Sequence, residues 1–366
     1  MTADKPLYEF FKDDDTPDPD AIPIKDRRVY TQPYDLVVDS LVDQIDNKTI
    51  YLQPLSGRPS YQRNYVWTNK LASKLIESIL LNVPIPPCYM SQNEEYELDV
   101  IDGQQRLYSI YRFVKNEFVL TGLEVLTDLN GKRMHKLETR FQRKLRTHTL
   151  RLVAITNESH HEIKFDVFQR LNTNTAPLNA QELRNCIYRG ALNDLLKEVT
   201  RYGNWLKILM KKEPDKRMQD EEIALRFFAF YEQGLQKYRT PQKHWLNDFA
   251  KEGMKYPERK VAELQSAWEL AIDNSLEWFE PHECFRRVPL GKSKVINKAL
   301  FDLIMMMATR MTRDEAAARR DGIRQKYFEL FEEEEFTDLI SRGVDHKKRT
   351  DKRFELWEQH FAEVLG

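Results

Sequence analysis

The sequence predicts an α+β protein: a mixed N-terminal domain with a small sheet, then a mostly helical domain. Three observations lead there. Short runs with a period of two, Ile50 to Leu52, Tyr96 to Ile101 and Leu150 to Ile155, are confined to about the first 155 residues. From Leu192 onward apolar residues recur at helical spacing almost without a break. Between Ile101 and Leu107 one period gives way to the other within a single polar turn.

Taken in order, Met1 to Arg28 is acidic and proline-punctuated, with Asp13-Asp14-Asp15-Thr16-Pro17-Asp18-Pro19-Asp20 at its centre. It has few apolar residues to order it, so residues 1–35 are assigned to a mobile arm. Asp39 to Ile45 reads as a short helix and Ile50 to Leu52 as a strand. Lys70 to Leu81 is amphipathic through Leu71, Leu75 and Ile79, and Pro84, Pro86 and Pro87 stop it. Cys88 to Met90 should pair with Tyr96 to Ile101 as a hairpin around Asn93. Short strands at Phe118 to Leu120 and Leu150 to Ile155 flank a helix near Lys136 to Leu145.

Further on, Ile163 to Leu171 is helical, with Ile163, Val167, Phe168 and Leu171 inward. Asn179 with Glu182 forms a capping box for the next helix, which Gly190 ends. Asp220 caps a helix through Tyr231, and others cover Lys260 to Phe279, Lys294 to Thr312 and Asp314 to Phe331. Their aromatic residues read as bundle core, not as a cofactor box.

With 57 basic against 58 acidic residues, the chain has no global pull toward nucleic acid or membrane, so any DNA contact must be local. Two stretches qualify: Arg140, Arg143 and Lys144, and Lys347-Lys348-Arg349. Each reads first as a solvated helix face, with a DNA contact as the alternative. Cys88, Cys186 and Cys284 lie about a hundred residues apart, without metal-ligand spacing, and suit a reducing cytoplasm. No long apolar run or signal-peptide pattern appears, so a cytoplasmic protein without membrane attachment is expected. His160 and His161 are adjacent and point to different faces, which makes them a poor ligand pair.

The polar turn between the two periods is Asp102-Gly103-Gln104-Gln105-Arg106, and Leu107, Ile110, Tyr111 and Val114 continue it as one face of a helix. A helix's first turn carries unpaired backbone N–H groups and the positive end of the dipole, which suit a phosphate. Arg106 stands at the wrong end of its helix for that dipole unless an anion lies before it. Gln104 and Gln105 could hydrogen-bond a base, a ribose or a water, and Asp102 could hold a metal ion or act as a base. The alternative needs no ligand: Asp102 as N-cap with Gln105 at the third position is a capping box. Upstream, arginine among Tyr61, Tyr65 and Trp67 suits either a phosphate clamp with base-stacking aromatics or a cation–π contact.

This turn resembles the DGQQR motif of the N-terminal domain of GmrSD-type restriction endonucleases, in the ParB/sulfiredoxin-like superfamily. Tyr61-Gln62-Arg63-Asn64-Tyr65-Val66-Trp67 resembles that family's upstream QR-x-Y-x-W segment. Leu75 to Leu80 with Pro84-Ile85-Pro86-Pro87 resembles its helix and proline exit. Phe168-Gln169-Arg170-Leu171-Asn172 and Leu178 to Arg184 resemble its downstream F-x-R-L-N and L-x-x-x-E-L-R pair.

The resemblance implies a ParB-like domain over residues 36–160, a helical domain over 161–366, and a part in restriction-type defence against phage. It also implies a nucleoside triphosphate bound and hydrolysed at the DGQQR turn, coupled to recognition of modified DNA. Arg63 and Arg106 would bind phosphates beside Gly103, Arg170 and Asn172. Gln104 and Gln105 would position water or nucleotide, and Asp102 would hold Mg²⁺ or orient Arg106. A non-catalytic DNA-binding or adaptor protein in which the DGQQR turn is a structural cap, and a DNA nuclease acting at the same site, are the competing expectations. Many relatives continue into a histidine-and-metal nuclease domain, but His282, His346 and His360 form no such pattern. Cutting would then fall to the DGQQR domain or to a separate nuclease chain.

Overall fold

Alternating apolar residues in the first half of the chain build a mixed five-stranded sheet among the residues the computed structural model describes, 28–52, 65, 67–171, 179–287 and 295–365. Its strands are β1 (Thr31–Val37), β2 (Ile50–Tyr51), β3 (Cys88–Gln92), β4 (Leu98–Asp102) and β5 (Thr149–Ile155), in the order β1-β5-β3-β4-β2. β1 runs antiparallel to β5 and β3 antiparallel to β4, while β3–β5 and β4–β2 are parallel. β4 is therefore an inner strand.

Both faces of the sheet are covered. Val100 and Ile101 are consecutive and point to opposite faces. The Val100 side packs on α1 (Val38–Asp46), α2 (Asn69–Leu80), α3 (Gln104–Val114) and α4 (Thr139–Arg146) through Leu41, Ile76, Leu107, Ile110 and Leu145. Ile101 and Ile155 meet Phe165, Phe168, Leu183 and Cys186 of α5 (His161–Leu171) and α6 (Ala180–Ile187). This compact unit runs through Ile187, so α5 and α6 belong with the sheet rather than with the helical domain assigned from residue 161.

Local differences from the sequence reading have physical causes. Residues 1–27 of the acidic arm lie outside the described residues, but its last residues, 31–35, belong to a strand, Thr31–Val37. It is an edge strand held by β5, and Pro33 and Asp35 hide its alternation. Tyr96 takes a left-handed conformation at φ 61°, which delays β4 to Leu98. Phe118 to Leu120 forms no strand: Leu120 accepts from Gly131 N and donates to Lys132 O, closing a turn instead. The Asn179–Glu182 capping box forms in both directions, at 2.7 and 2.8 Å. Gly190 stands beyond the end of α6 and leads the next helix.

From Tyr188 onward a second unit is helical: α7 (Ala191–Val199), α8 (Gly203–Leu209), α9 (Gln219–Gln233), α10 (Gln242–Glu252), α11 (Glu258–Trp278), α12 (Lys298–Ala308), α13 (Arg313–Ala318), α14 (Arg320–Leu330), α15 (Glu334–Leu339) and α16 (Lys347–Leu365). The aromatic residues form its core, with Trp205, Phe227, Phe228 and Phe301 gathered around Trp268. Arg226 is fully buried and forks onto Asp302 and Asp345, both at 2.7 Å, while Arg353 stands 3.7 Å from Asp302. Met218, not Asp220, is the N-cap of α9, and the Asp220 carboxylate instead accepts from Asp215 N and Glu221 N. The helix expected over Asp314 to Phe331 is broken at Arg319 into α13 and α14. Among the described residues no helix is long and apolar enough to cross a membrane.

Candidate functional site

Asp102 is the last residue of β4 and pairs with Tyr89 of β3. Gly103 then takes φ 97°, a left-handed conformation, and α3 begins at Gln104. The strand-to-helix turn read from the sequence is therefore present. The capping box is not: Gly103 is the N-cap, and no side chain caps the helix. Space also demands glycine, because a Cβ at 103 would lie 2.3 Å from Cys88 Sγ.

The Asp102 carboxylate, displaced from capping, turns to Arg106. Arg106 Nη2 donates to Asp102 Oδ2 at 2.7 Å, and the two side chains are only 15% and 20% exposed. The same guanidinium donates to the carbonyls of Pro86 and Pro87, the latter at 3.3 Å. Arg106 is thus not a vacant cation. It ties the end of β4 and the start of α3 to the proline exit of α2. The Cys88 thiol behind it is pushed up to about 11 by burial, although the Arg106 guanidinium pulls the other way. It stays protonated at neutral pH and is no nucleophile.

Gln104 is buried, and Gln105 Oε1 accepts from Trp67 N at 3.4 Å. Ser109 Oγ, one helical turn on, bonds the Tyr65 hydroxyl at 2.9 Å. The ring of Tyr65 packs edge-on against Tyr108 at 4.9 Å, and Arg112 lies 5.0 Å from its centroid. Tyr65 and Trp67 are thereby docked along α3, and Arg112 stacks on the Tyr65 ring. Arg63 lies outside the described residues, as does Asn172. Arg170 is exposed in the last turn of α5, while Phe168 of that helix packs beside Ile101.

Sequence reasoning missed a buried polar layer on α5 and α6. Lys164 Nζ donates to Gln92 O at 3.2 Å, Arg184 to Gln181 Oε1 at 3.3 Å, and Gln181 to Asn185 Oδ1 at 3.2 Å. All four of these side chains, with Glu182 and Asp99, are buried. Four polar residues in one run of α6 were the available signal. Their burial could not be foreseen without knowing that the helix closes one face of the sheet.

The two basic stretches differ. Arg140, Arg143 and Lys144 are exposed on α4, Arg140 pairing with Glu138 at 2.9 Å. In the helical unit, Lys347 is spent on Leu235 O and Asp351, and Arg349 on Asp338 and Arg342 O, which leaves Lys348 exposed. Among the described residues, no three His, Cys, Asp or Glu side chains converge as a metal site.

Comparison with known families places this geometry. Residues 38–189 match the family described as GmrSD restriction endonuclease, N-terminal domain. The match starts at α1 and ends just past α6, so it covers the turn, its proline partners and the buried polar layer. No curated protein and no solved structure matches the chain.

Proposed function

Because residues 38–189 carry a GmrSD restriction endonuclease N-terminal domain, we propose that this chain serves restriction-type defence acting on DNA, with the DGQQR turn as its nucleotide site. The observation that supports a phosphate there is the turn itself. An inner strand ends, a left-handed glycine without a side chain follows, and a helix starts with no side-chain cap. Backbone can then approach a phosphate closely at the positive end of a helix dipole.

In this reading Arg106 is held in place beforehand by Asp102 and the proline carbonyls, so orienting it costs little when the triphosphate arrives. Part of that bonding would be exchanged for phosphate oxygens. Asp102 supplies a single carboxylate, so Mg²⁺ at this place would be carried chiefly by the phosphates and water, as is usual for that ion. Gln104 and Gln105 are the groups to position nucleotide or water, and Gln105 also fixes the Trp67 backbone.

A second reading is favoured by the saturation of Arg106: the turn is a structural joint of a non-catalytic adaptor. Nucleotide turnover and binding by the whole chain, with Mg²⁺ and with or without DNA, separate the two. The nucleotide reading expects turnover in the wild type that falls at least tenfold in Arg106→Ala and Asp102→Asn, both still folded. Absence of nucleotide binding in the wild type, with a lowered melting temperature in both variants, establishes the joint. Plasmid nicking that needs a divalent ion but no nucleotide would instead mark a nuclease at the turn.

A further inference from the structure

We propose that the outer face of α4 is a docking surface for the phosphate backbone of double-stranded nucleic acid, bound without reading sequence. It is a different surface from the DGQQR turn, distinguished by which of its charges are neutralised. Arg146 is paired with Asp39 at 2.8 Å and Arg151 with Asp35 at 2.7 Å, so each of these cations already holds a carboxylate. Arg143, Lys144 and Lys136 are exposed, and among the described residues no carboxylate pairs with any of them.

Arg140 lies on the same face. Its pair with Glu138 is exposed on both sides, with 73% and 58% of the side chains open to solvent, and such a pair exchanges easily for a phosphate. The Phe141 ring lies 4.7 Å from the Arg140 guanidinium and steadies it against the surface. Arg140, Arg143 and Lys144 stand at i, i+3 and i+4, one face of one turn. Along the helix they span about 6 Å, comparable with the rise of about 7 Å over three successive phosphates on one strand of a duplex.

An acidic polypeptide would satisfy the same cations, but a regular line of phosphates matches three cations spaced along one helical turn better than a flexible chain. Arginine adds paired donors that fit a phosphate. The pull is also local: the chain as a whole carries a net charge of −1, so association depends on this face.

The test is fluorescence anisotropy of the full chain with a random-sequence DNA duplex across a salt series. Each phosphate contact contributes about 0.9 to the slope of log K against log salt. Arg143→Gln/Lys144→Gln is expected to make that slope shallower by nearly 2 and to weaken binding equally for unrelated sequences. Circular dichroism melts establish that the double variant is folded, and its DNA-independent nucleotide turnover should equal the wild type's, which keeps this outcome separate from that of the turn. The proposal is overturned if the wild type binds no duplex at low salt or if the double variant keeps the wild-type slope. It is also overturned if polyglutamate competes as well as duplex at equal charge.

Discussion

Gly103 meets two independent demands, a φ of 97° and a wall formed by Cys88. Gly103→Ala should therefore cost about 2–4 kcal/mol, the sum of left-handed strain and a displaced thiol. Urea denaturation checks this. Cys88→Gly in the same chain should recover only the steric part, and a neutral Gly103→Ala would mean the turn relaxes freely. The sequence displays this residue plainly, since Asp-Gly between a strand and a helix asks for φ > 0. The ion pair beside it was less visible. Asp102 and Arg106 are four apart, yet a rule for helix starts competed for the same carboxylate, and only the position of Gly103 decided between them. Gln105 on Trp67 N and Arg106 on the Pro86 carbonyl join residues far apart in sequence, and no local pattern announces such pairs.

Helices with a clean apolar stripe, α1, α2 and α3, are found close to where periodicity predicts them. β1 escaped notice because an edge strand with one open face needs few apolar residues. At α9 the acidic residue before the apolar run was read as a cap, yet it lies inside the first turn and is buried. Burial pushes the Asp220 carboxyl up to about 7. Its unfolded value is about 3.9, so the folded chain holds an extra proton between the two. The resulting stability is complete below the unfolded value and is lost as pH rises through about 7. Asp220→Asn removes this dependence. Thermal melts from pH 5 to pH 8 should show the variant gaining on the wild type as pH rises, by a few kcal/mol at most. A gap that narrows with pH would contradict the assignment.

At the scale of the whole molecule, the chain divides into two compact units between Ile187 and Tyr188. The helices α5 and α6 carry the same kind of pattern as those of the second unit, and only the apolar face of the sheet claims them. Inside the second unit, the joining of Arg226, Asp302, Asp345 and Arg353 was invisible, because charged residues scattered over more than a hundred positions look solvated in sequence. Asp302→Asn leaves two buried guanidiniums short of charge and should cost about 3–5 kcal/mol. Denaturant unfolding of the full chain, followed by tryptophan fluorescence, measures this. A change below ~1 kcal/mol would show the network to be dispensable.

The grip of Arg106 on both the Pro86-Pro87 carbonyls and Asp102 has an evolutionary consequence. Three places in the chain answer to one side chain, so drift at any of them is felt by the others. A lineage that gives up the arginine loses the reason to keep its aspartate. One that loses the diproline frees the arginine for a new partner. Change in this corner of the molecule should come in concerted steps, while the polar exterior of the same helix varies one position at a time.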